Sequence, residues 1–213
     1  MGKISIDEGM NLIQFRRLVR EYYLPWYEKN DLAHDIKHAD KVCDMGLEIC
    51  DDFQYNSREE KMDIILASYI HDIFTSNNRK NHAELASDYI LRWYQHDDPF
   101  LSSLSAGRLY YLAQAVLEHR ASYKGQRTHP LSKLLSMADR GRPNLEDTVK
   151  RSMDYNNGNA REVLAHMKDK FGTDGYCSYP EEYLNMFKTE LVEFVMQIDA
   201  LTISKIESIH FKT

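Results

Sequence analysis

Apolar residues recur at helical spacing along nearly the whole chain, and no stretch sustains the two-residue alternation of a half-buried strand. From about Ile6 to Lys29, the residues Leu12, Phe15, Leu18, Val19, Tyr22 and Tyr23 fall on one face and predict an amphipathic helix. Between Asp35 and Asp51, His38, Val42, Met45 and Ile49 stand at i, i+4, i+7 and i+11, so an imidazole shares the inward stripe. Ser57-Arg58-Glu59-Glu60 has the form of a capping box, opening a helix through Met62, Ile65, Leu66 and Tyr69 to the adjacent pair His71-Asp72. After the loop TSNNRKN, His82 heads a second inward stripe of Leu85, Ala86, Tyr89, Ile90 and Trp93.

The breaker HDDPFLSSLSAG precedes a helix with Leu109, Leu112 and Val116, and His119 follows Leu112 at i+7 on the same face. Leu131, Leu134, Leu135, Ala138 and Asp139 predict a short helix stopped by RGRP, and helical patterns resume over 146–171 and 180–209. The expected fold is all-α: one domain spanning 1–213, a helical bundle around a polar centre, with the C-terminal helices completing it. The last pattern, with Leu184, Phe187, Leu191, Phe194 and Val195, would close the core or form the seam of a homo-oligomer.

Composition narrows the class. Hydrophobic residues at 43% and charged residues at 28% are those of a folding globular chain. A formal charge of -6, from 27 Lys+Arg against 33 Asp+Glu, argues against a protein that wraps duplex nucleic acid or lies on a membrane. The three cysteines lack the spacing of a zinc knuckle or redox motif; Cys43 and Cys50, seven apart, suit buried reduced thiols. With no secretory or membrane-spanning stretch in view, the expected setting is the cytoplasm.

Five polar features sit on or beside inward stripes: His38, the His71-Asp72 pair, His82, His119 and Asp139. Burying an unpaired titratable group costs several kcal/mol, about 2–7 even for an uncharged polar group, and one bound metal centre would account for all of them. Imidazole and carboxylate without thiolate suit Mn, Fe, Co, Ni or Zn better than Mg, and six ligands exceed the needs of one tetrahedral ion, so one or two ions are expected. Plainer alternatives stand beside this: a satisfied core histidine for His38, a helix-start residue facing solvent for His82, a charged C-cap for His119, and the start of a helix-ending turn for Asp139.

With HDIKHADKV leading in, the order His38, His71-Asp72, Asp139 resembles the HD-domain superfamily of metal-dependent phosphohydrolases, over about residues 30–142. The resemblance implies a helical fold in which His38, His71, Asp72 and Asp139 bind one metal. The stretches NHAELASDYI and VLEHRASYKG further resemble those that supply two more histidines in binuclear members, which assigns His82 and His119 to a second metal and makes Asp72 a bridge. The chain departs from the HD-GYP pattern after the pair, where it has Ile73-Phe74-Thr75, and in lacking Gly-Tyr-Pro after His119, so cyclic-dinucleotide cleavage is not implied.

The activity so implied is hydrolysis of a phosphate ester or anhydride in a small phosphorylated substrate, a nucleotide by family resemblance, by metal-activated water. Asp72 and His119 are the expected catalytic residues. Arg79, Lys80, Lys124, Arg127 and Arg140 lie in loops or helix ends beside proposed ligands and are candidates to bind phosphate. Two rivals share the ligand set: a mixed-valent di-iron oxygenase similar to inositol oxygenase, and a non-catalytic metal-binding or sensing module.

Overall fold

The computed structural model describes residues 10–177 and 179–211. Among these the chain is all-helical, without strands. Backbone contacts divide it into two compact units. The first comprises the described residues up to Asn30 together with His34–Gly141, and the second comprises Asp31–Ala33 and the described residues from Arg142 onward. Each unit buries its own apolar set.

The first unit holds α1 (Leu12–Tyr27), α2 (Ile36–Ile49), α3 (Arg58–Ile70), α4 (His82–Leu91), α5 (Ala106–Glu118) and α6 (Pro130–Arg140). α1 opens on a capping box, Asn11 with Gln14; the expected extension to Ile6 lies outside the described residues. The Asp35 side chain caps α2 by accepting from the amides of Lys37 and His38, and the Ser57–Glu60 capping box opens α3 as its sequence foretells. α3 is buried all round from Met62 to Ile70, so it reads as a central helix rather than an amphipathic one. It packs on α1, α2, α5 and α6, while α4 lies against α5 and α5 against α6. Gly141, at φ +67°, ends α6 where RGRP predicts a stop. Cys43 and Cys50 are buried free thiols, as their spacing suggests.

The second unit holds α7 (Leu145–Tyr155), α8 (Ala160–Phe171), α9 (Glu181–Met186), α10 (Lys188–Asp199) and α11 (Ile203–His210). The pattern over 146–171 is two helices, not one. Asn157 and Gly158 both take positive φ and Asn159 caps α8, so the turn chemistry of Asn-Asn-Gly-Asn overrides the apolar period. The stretch from 180 to 209 is likewise broken, at Phe187 and at Thr202, whose hydroxyl caps α11. Phe187, Leu191, Phe194 and Ile198 are buried within the unit, and Phe171 meets Phe194 edge-on at 5.6 Å. Among the described residues no helix is long and apolar enough to cross a membrane.

Candidate metal centre

All six proposed ligands belong to the first unit, and each stands at or near the end of a helix. His38 lies in the first turn of α2, and His71 is the C-cap of α3 with Asp72 next in the chain. His82 opens α4, His119 is the C-cap of α5, and Asp139 precedes the last residue of α6. His119 ends its helix, yet only 2% of it is exposed. His82, at 6% exposure, does not face solvent.

Three of the imidazoles are oriented by backbone carbonyls. His71 Nδ1 donates to Ser68 O at 2.8 Å, His82 Nδ1 to Arg79 O at 2.8 Å, and His119 Nδ1 to Val116 O at 2.6 Å. A carbonyl only accepts, so each Nδ1 carries a proton and each Nε2 is the atom turned toward the cluster. For His71 and His119 the acceptors are last-turn carbonyls that a helix end leaves without an intrahelical partner.

The Nε2 atoms converge on the carboxylates. His38 Nε2 lies 3.0 Å from Asp139 Oδ1 and 3.7 Å from Asp72 Oδ2, and His71 Nε2 lies 3.2 Å from Asp72 Oδ2. On the other side of the same carboxylate, His82 Nε2 is 3.2 Å and His119 Nε2 3.9 Å from Asp72 Oδ1. Each Asp72 oxygen thus faces its own pair of histidines. His38, His71 and Asp139, and again His71, Asp72 and His119, bring their ligand atoms within 4.8 Å of one another.

These contacts have the chemistry of a cation site. His82 Nε2 and His119 Nε2 stand 3.3 Å apart, and His71 Nε2 is buried without a hydrogen-bond partner. With Nδ1 already protonated in each ring, nitrogens so close call for a cation among them, a proton or a metal ion. Ligands held about 2.0–2.2 Å from one ion sit roughly 2.9–3.5 Å from each other when adjacent, which matches the shorter separations here. A proton is the competing cation. Burial opposes charge on His71, but Asp72 and then Asp139 outweigh it and raise its pKa, while Asp72 is driven well below the usual carboxylate range against its own burial, chiefly by His71. His119 behaves oppositely: burial, reinforced by the His71 charge, pushes it down to about 3 and keeps its Nε2 a lone pair. These buried histidines and carboxylates could hold a metal ion.

The basic candidates divide. The Arg79 guanidinium reaches the His34 ring, its two terminal nitrogens 3.4 and 3.3 Å from Nδ1 and Nε2, and His34 lies edge-on to His38 with centroids 6.0 Å apart. Arg127 is buried and donates to Glu118 O at 2.8 Å and Arg120 O at 2.7 Å, which fastens the loop after His119. Arg140 turns back onto Ser136 of its own helix. Lys80 and Lys124 are exposed. Periodicity cannot reveal the Ser68, Arg79 and Val116 carbonyls that orient the imidazoles, though the i−3 spacing of each from its histidine is a signal. His34, in the lead-in to α2, is buried against Arg79 and His38.

The helical fold with a buried His/Asp cluster is compatible with an HD-type centre. No protein-family model matches the chain, and no curated protein or solved structure matches it.

Proposed function

We propose that this chain is a metal-dependent phosphohydrolase of the HD type, acting on a small phosphorylated compound of the nucleotide class. The observation that carries this reading is the placement of Asp72, a 2%-exposed carboxylate with one oxygen toward His38 and His71 and the other toward His82 and His119. Such a placement suits a ligand of a metal centre that His38, His71 and Asp139 would hold on one side and His82 and His119 on the other. When bound, a divalent ion would supply Lewis acidity toward phosphoryl oxygens and would lower the pKa of water from 15.7 to about 7. The chain's own part is to hold the rings fixed through their Nδ1 bonds, to exclude bulk water by burial, and to bring a guanidinium to the edge of the centre through Arg79.

The direct test is release of phosphate or pyrophosphate from a panel of nucleoside mono-, di- and triphosphates, with oxygen uptake followed in parallel on iron-loaded protein. Phosphate release supports the hydrolase. Oxygen uptake alone would make it an oxygenase, and neither would leave a binding module. Arg79→Gln is expected to raise KM about tenfold with metal content unchanged, the scale of one lost charge-assisted contact of about 1.4 kcal/mol. An unchanged KM would remove Arg79 from substrate binding.

A further inference from the structure

Asn30, three residues past the end of α1, lies outside the ligand set and outside any helix. Its side chain uses both amide hydrogens and its oxygen on the backbone around the centre. Nδ2 donates to His34 O and to Asp72 O, both at 3.0 Å, and Oδ1 accepts from the Ser76 amide at 3.0 Å. One carbonyl belongs to the lead-in to α2, which carries His38, and the other to Asp72 itself. The amide lies on the turn that continues to Arg79, whose carbonyl orients His82.

We propose that Asn30 is a positioning residue that sets the Asp72 carboxylate relative to His38 and His82, and so governs metal affinity; the inference rests on the metal-centre part of the reading above and not on the hydrolysis. Backbone in the 72–76 turn has few alternatives. Thr75 N bonds Asp72 O at 3.1 Å within the turn, and Asn30 is the side chain that joins this turn to the segment before α2. Three satisfied bonds from one short side chain fix a direction as well as a distance, which a ligand shared between two halves of a centre requires. A glutamine would overreach by a methylene, and an aspartate would set a carboxylate against two carbonyl oxygens.

Asn30→Ala and the near-isosteric Asn30→Asp are compared with wild type and with Tyr55→Phe. That control removes a buried bond of the same unit away from the proposed ligands, from the Tyr55 hydroxyl to Asp63 Oδ2 at 3.3 Å. Dissociation constants for Zn(II) and Mn(II) are taken by chelator competition, the visible spectrum of the Co(II)-loaded protein is recorded, and thermal unfolding is followed without metal. Both Asn30 variants are expected to bind metal about 10–100-fold more weakly, the usual effect of losing a group that orients ligands, with a shifted Co(II) spectrum. Tyr55→Phe should change neither. Wild-type affinity and spectrum in a folded Asn30→Asp protein would overturn the inference while leaving the centre intact; absence of metal binding by wild type itself would overturn both.

Discussion

Asp72→Asn is expected to leave the protein with almost no bound transition metal and no hydrolase activity, while its fold is retained. The substitution is nearly isosteric, so packing around a residue only 2% exposed is preserved. What changes is charge and proton placement. One oxygen facing an imidazole pair becomes an amide nitrogen, whose hydrogen would occupy an Nε2 lone pair of His71 or His82, each 3.2 Å from the carboxylate. The other oxygen becomes neutral. Groups that merely orient ligands cost about 10–100-fold in affinity when lost, so removal of a ligand facing both halves is expected to exceed about 100-fold. Chelator competition measures this directly. A variant retaining wild-type affinity would show that Asp72 is not a ligand and that its burial among histidines has another cause.

The second large effect is on stability. Asp98 is fully buried and accepts from the Tyr23 hydroxyl at 2.6 Å, the Tyr89 hydroxyl at 2.7 Å and the amides of Phe100 and Leu101 at 2.9 Å each. Burial, followed by the Asp98 charge, holds Tyr23 well above the usual phenol pKa, so it remains a hydroxyl donor. The carboxylate joins α1 to α4, the helix that begins with His82. Asp98→Ala leaves four buried donors without an acceptor and is expected to destabilise the protein by about 3–5 kcal/mol, since each orphaned group costs roughly 1–3 and the two hydroxyls can turn elsewhere. Asp98→Asn, which keeps one oxygen, should cost about half as much. Urea unfolding reads both; a loss below about 1 kcal/mol for Asp98→Ala would contradict the assigned role.

Much of the first unit is legible in the sequence because its signals are local. The Ser57–Glu60 capping box opens α3, and His38 follows the stripe of Val42, Met45 and Ile49 into the interior. His82 and His119 are likewise found on the faces their spacing assigns, and the six proposed ligands meet because each stands at or near a helix end. What spacing could not supply is long-range or carried by backbone. Asn30 sits in a short segment without periodicity and acts 42 residues away on Asp72. Arg127 has the sequence context of a phosphate-binding loop residue, but carbonyls of its own loop claim part of its guanidinium. The C-terminal stretches read as longer helices because apolar residues continue through Asn157-Gly158 and Phe187, where turn chemistry and packing break the backbone.

On the proposed reading, the histidines and carboxylates of the first unit hold metal in two linked positions. Elemental analysis of protein purified without added metal, alongside His71→Ala and His82→Ala, tests it most directly. About two equivalents of transition metal per chain are expected in wild type, about one in His82→Ala, and a fraction of one in His71→Ala, whose ring lies between the two ligand groups. Wild-type protein with no more metal than His71→Ala would contradict the claim, and unchanged content in His82→Ala would reduce the centre to a single ion.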